Sequence, residues 1–87
     1  MNREEVQVLS IIDGSHVHDF LEKAAEILNM GRDIISNIVE SLKKEEYVAT
    51  MQIVNNEIYT YTKRVKKEML DPDLYRQYGS KPLYIFR

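Results

Sequence analysis

Apolar positions along the chain change their period from helical to strand-like and back, and each change marks an element. From Asn2 to Ile12, Val6, Val8, Leu9, Ile11 and Ile12 share one broad helical face, and Asp13-Gly14 is a natural stop because glycine accepts the left-handed backbone beyond a helix end. Ser15-His16-Val17 fits a short strand or the first residues of the next helix. Phe20, Leu21, Ala24, Ala25 and Leu28 then recur at spacings of one, three and four, a single stripe on a helix of 3.6 residues per turn. Ile35, Val39 and Leu42 repeat the pattern and predict a further helix from Arg32 to Lys44. Between these two stripes, Asn29-Met30-Gly31-Arg32-Asp33 supplies Asn and Gly for a sharp turn and Asp33 to cap the following helix.

Beyond Leu42 the pattern becomes strand-like. Tyr47 to Ile53 is strand-prone, Asn55-Asn56 suits a turn with positive φ, and Ile58 to Thr62 alternates β-branched and aromatic residues, so a hairpin is expected. Thr62 is placed to cap a helix from Lys63 to Leu70. Asp71-Pro72-Asp73 ends that helix and starts another, Leu74 to Tyr78, closed by Gly79. The tail Leu83-Tyr84-Ile85-Phe86 is too apolar to remain in water, since burying one such side chain stabilises by about 1.5–3 kcal/mol. Two places for it are open: the domain's own first helix, or a second copy of the chain.

Charge adds an asymmetry that the net value of −2 hides. Residues 1–42 carry three basic and eight acidic side chains, whereas residues 43–87 carry nine basic and six acidic ones. Affinity for nucleic-acid phosphate comes from Lys and Arg displacing counterions, so a phosphate-binding face must draw on Lys43, Lys44, Lys63, Arg64, Lys66 and Lys67. The plainer reading of each is a solvated surface charge.

The stretch from Ala24 to Leu70 resembles the winged helix-turn-helix of small prokaryotic, archaeal and phage regulators of the MarR-like kind. In that family a helix-turn-helix leads into a phrase such as glutamate-lysine-glycine-tyrosine-valine, a hairpin, and a strand running through Thr into a charged helix. Here those places hold Lys44-Glu45-Glu46-Tyr47-Val48, the hairpin, and Tyr61-Thr62-Lys63-Arg64. The resemblance implies a mainly helical α+β fold: a three-helix core with a β-hairpin wing, a C-terminal helical extension and an apolar tail. The helix-turn-helix would span about 18–45, the wing about 47–62 and the extension 63–87 of a single domain.

The same resemblance implies sequence-specific binding of double-stranded DNA by a homodimeric transcriptional regulator, with a recognition helix at about 32–44 in the major groove. Carried over by position, Arg32 would contact phosphate or guanine, Ser36 a phosphate or base edge, and Asn37 adenine, flanked by Lys43 and Lys44. The phosphate contacts would come from Lys63, Arg64, Lys66 and Lys67. Two features point to the alternative of a protein-interaction module. Ile34 and Ile38 form an apolar ridge at i and i+4, and Asp33, Glu40 and the hairpin-tip Glu57 oppose phosphate.

Other chemistry finds little support. With no cysteine there is neither a disulfide framework nor a thiolate metal site. The start MNREEVQV is unlike a signal peptide, and no apolar run approaches the roughly 20 residues of a membrane span, so a cytoplasmic chain with no membrane partner is expected. His16, His18 and Asp19 lack further His or Cys to complete a metal site. Ser15 and Ser36 have no evident base, and Gly14, Gly31 and Gly79 are too dispersed for a phosphate loop. Neither a cofactor nor catalysis is expected.

Overall fold

The computed structural model describes residues 1–12, 16–53, 57–62 and 65–79, with the backbone alone described for 51–53, 57–62 and Lys67. Helix α1 (Arg3–Ser10) begins with a capping box. The Asn2 side chain accepts from the Glu5 N–H at 2.8 Å, and the Glu5 carboxylate accepts from the Asn2 N–H at 3.1 Å, satisfying donors that a helix start leaves open. The helix ends at Ser10, before the expected Ile12, where Ile11 N–H turns tightly onto the Val8 carbonyl at 3.2 Å. Ile11 and Ile12 are buried nonetheless, and the expected stop at Asp13-Gly14 lies outside the described residues.

Of the two expectations for its segment, His16 meets the helix entry: it is the N-cap of α2 (Val17–Leu28), accepting from the His18 N–H at 3.3 Å, and makes only an isolated bridge. The turn after α2 rests on Asn29, whose φ of 52° is left-handed, with the Met30 N–H bonded back to the Ala25 carbonyl at 3.1 Å. Gly31 has an ordinary φ of −62° and is the N-cap of α3 (Arg32–Lys44) without a side-chain cap bond. The cap expected of Asp33 is therefore corrected. Asp33 lies inside the first turn, where its charge still complements the helix dipole.

Helix α3 closes as α2 does. Glu46 takes a φ of 66°, its N–H bonds to the Lys43 carbonyl at 3.0 Å, and the Tyr47 N–H reaches the Leu42 carbonyl at 3.0 Å. The chain then enters β1 (Val48–Ile53), which pairs antiparallel with β2 (Glu57–Thr62) from Val48–Thr62 to Ile53–Glu57. The expected Asn55-Asn56 turn lies outside the described residues.

After β2 the expectation of a helix from Lys63 to Leu70, capped by Thr62, is corrected. Thr62 ends the strand, Val65 and Lys66 are irregular, and a short 3-10 turn covers Lys67–Met69. Thr62 is paired with Val48 at the end of the hairpin and so continues the strand instead of capping a helix, and Val65 and Leu70 both pack on the core. Helix α4 (Pro72–Tyr78) follows, with Asp71 accepting from the N–H groups of Asp73 and Leu74 at 3.0 and 3.1 Å.

The described fold is thus α+β and mainly helical, three helices followed by a two-stranded hairpin and a fourth helix. Its core joins Val8, Leu9, Ile11 and Ile12 to Phe20 and Ala24 of α2, Ile35, Ile38, Val39 and Leu42 of α3, and Val48 of β1. One buried polar residue fastens α4 to α1. The fully buried Ser10 hydroxyl donates to the Val6 carbonyl at 2.6 Å and accepts from the Asp71 N–H at 2.8 Å. Gly79 completes the fastening through close approach: a Cβ there would stand 2.8 Å from the Ser10 carbonyl oxygen. The tail Leu83–Arg87 lies outside the described residues.

Candidate nucleic-acid interface

The burial pattern of α3 divides the helix lengthwise. Ile35, Ile38, Val39 and Leu42 face inward, while Arg32, Asp33, Ile34, Asn37, Glu40, Ser41 and Lys44 are exposed. Arg32, Asn37 and Lys44 of the expected contact residues are exposed, with Arg32 about 140° around the helix from Asn37, and Asn37 and Lys44 share the outward side. Ser36 and Lys43 do not. They are half-buried and line a groove of about 180 Å³ with Val17 and Leu21 of α2 and Thr50 of β1. Ser36 is thus corrected from an outward position to the flank of the helix.

Arg32 is drawn toward α2. One guanidinium nitrogen donates to His18 Nδ1 at 3.0 Å and the other lies 3.6 Å from the Glu22 carboxylate. A guanidinium has no acceptor, so in this contact the His18 ring accepts through Nδ1. Such solvent-exposed pairs are worth at most about 1 kcal/mol each, and Arg32 can exchange one of them for a phosphate. Lys43 is held by Glu40 on the preceding turn at 3.4 Å.

A second, open groove of about 250 Å³ runs between the start of α1 and α3, lined by Asn2, Glu5, Ile34, Asn37, Ile38 and Ser41. Sequence reasoning missed its polar wall. The Ser41 hydroxyl donates to the Glu5 carboxylate at 3.3 Å, across thirty-six residues of sequence, so only the Asn2-Glu5 capping spacing was visible in the chain. The ridge expected from Ile34 and Ile38 is split by the fold: Ile38 is 9% exposed and belongs to the core, whereas Ile34 is 50% exposed on the groove's rim.

Of the four basic residues expected after the hairpin, Lys66 is exposed on the segment leading to the 3-10 turn. Lys63, Arg64 and the Lys67 side chain lie outside what the structure describes. His16 and His18 stack obliquely with ring centroids 5.4 Å apart, and among the described residues no group of three or more His, Cys, Asp or Glu is arranged to hold a metal ion. Nor is any described helix long and apolar enough to cross a membrane. No known protein family, no curated protein and no solved structure matches the chain.

Proposed function

We propose that the chain is a single winged helix-turn-helix domain that binds double-stranded DNA, with α3 in the major groove and the β1–β2 hairpin as the wing, acting in the cytoplasm as a homodimeric transcriptional regulator. The observation that carries this reading is the order of elements around α3. A short left-handed turn at Asn29 joins α2 to α3, the hairpin follows directly, and α3 keeps the side that carries Asp33, Asn37, Glu40 and Lys44 free of the core. Arg32, Lys44, Lys63, Arg64, Lys66 and Lys67 supply the phosphate contacts, and Asn37 reads a base.

The test is an anisotropy titration against genomic DNA fragments at two salt concentrations. Replacing Lys63, Arg64, Lys66 and Lys67 with Ala should weaken binding to all sequences and reduce the salt slope by about one unit per lost contact. No binding by the parent at low salt would end the DNA reading. Deleting Leu83 to Arg87 tests the dimer: a shift toward monomer in light scattering supports it, and an unchanged mass with lower thermal stability places the tail on its own domain.

A second reading, a protein-interaction module, draws on the half-exposed Ile34 beside its groove and on the carboxylates of Asp33 and Glu40 on the same side of α3. It becomes the leading one if DNA binding fails.

A further inference from the structure

We infer that the base pairs lying under the first turns of α3 are A·T pairs, with Asn37 bonded to the adenine edge and Ile34 against the thymine methyl group. The inference rests on the DNA reading above and names what that site recognises.

Its first ground is the split between the two isoleucines. Ile38 is spent on the core, but Ile34 is half-exposed, and among the described residues only Met1 is another large apolar side chain exposed in this way. Asn37 stands three residues further on, exposed, and both line the same groove. Side chains three apart on a helix have Cβ atoms roughly 5–6 Å apart, and base pairs rise by about 3.4 Å, so the two would meet the same or adjacent base pairs. Their chemistries are those of one pair: an amide matches the acceptor and donor of adenine together, and an aliphatic group matches the C5-methyl of thymine.

The second ground is the lack of a guanine reader at this place. Bidentate recognition of guanine needs a cation with two free donors or a close ammonium. Arg32 leans toward His18 and Glu22 of α2, about 140° around the helix from Asn37, and Lys43 is half-buried and held by Glu40. Lys44 lies seven residues beyond Asn37, about 10 Å along the axis. Beside Asn37 stand instead Asp33, four residues before, and Glu40, three after, both exposed. Their carboxylates carry no donor for the acceptor-only edge that guanine shows in the major groove.

The experiment uses the full chain. A preferred duplex is selected from a randomised pool at fixed low salt and titrated beside two altered copies. One carries uracil for thymine and lacks only the methyl; the other carries 7-deazaadenine for adenine and lacks only the N7 acceptor. The selected site should hold adjacent A·T pairs, with affinity falling about fourfold on loss of the methyl and roughly tenfold on loss of N7. Ile34→Ala should bind the thymine and uracil duplexes alike, Asn37→Ala should be indifferent to 7-deazaadenine, and both should melt like the parent. A selected site of G·C pairs, or equal binding of the three duplexes, would overturn the inference and leave DNA binding standing. Absence of binding to any duplex at low salt would overturn both and point Ile34 toward a protein.

Discussion

Ile34 and Ile38 lie one turn apart on α3, identical in chemistry, and the two sides of the helix they belong to obey different rules. On the inner side the helix is held by apolar contact with α1, α2 and β1, and Ile38 is almost wholly removed from water. On the outer side Ile34 stands half in solvent among polar and charged neighbours whose ion pairs are exposed and weak. The inner side therefore decides whether the domain folds, and the outer side is at liberty to be chosen for what it touches.

The largest effect should come from breaking the inner side. Ile38→Ala removes buried methylene groups and leaves a cavity, costing about 2–5 kcal/mol, while Ile34→Ala should stay within about 0.5 kcal/mol of the parent. Urea denaturation of the two variants side by side measures the difference directly. Comparable losses at the two positions would mean that Ile34 is as much core as its neighbour, and the division of α3 would fail.

A smaller effect tests whether the inner side is held by apolar contact alone. The fully buried Ser10 hydroxyl bridges the Val6 carbonyl and the Asp71 N–H, and it is the polar link between α1 and the cap of α4. Ser10→Ala leaves the Asp71 N–H unsatisfied in a half-buried place and should cost about 1–3 kcal/mol, with amide exchange at Asp71 accelerating more than at Leu42. Equal acceleration at the two amides would show that α4 and α3 open together rather than in sequence.

The helices and the hairpin were legible because each rests on periodicity, a signal carried within a few residues. Ile35, Val39 and Leu42 are buried as their spacing implies, and β1 and β2 match the strand-prone runs to within one residue at each boundary. What failed was set by distant partners. Thr62 is held in the strand by its pairing with Val48, fourteen residues away, and the expected helix gives way to a 3-10 turn. Ser36 is turned into a flank by Val17, Leu21 and Thr50, and Arg32 is engaged by His18, fourteen residues away. No local pattern encodes such contacts. The exposure of Asn37 and Lys44 was thus legible in the sequence, but not which candidate residues neighbouring elements would engage.

The smallest effect lies where the outer side meets solvent at the end of α3, and there backbone geometry is set against side-chain contact. Glu46 takes a φ of 66° so that its own N–H and that of Tyr47 can close the helix onto Lys43 and Leu42, a conformation that costs a residue with a Cβ about 1 kcal/mol and glycine almost nothing. Asn29 makes the same turn at the end of α2 with a side chain that tolerates it better. Glu46→Gly should therefore stabilise the domain by about 0.5–1 kcal/mol, read as a higher denaturant midpoint with an unchanged slope. Asn29→Gly, where the cost is already reduced, should gain less. A loss of stability in Glu46→Gly would show that contacts of the Glu46 side chain outweigh the strain, and that the rule of contact governing the inner side of α3 reaches its outer end as well.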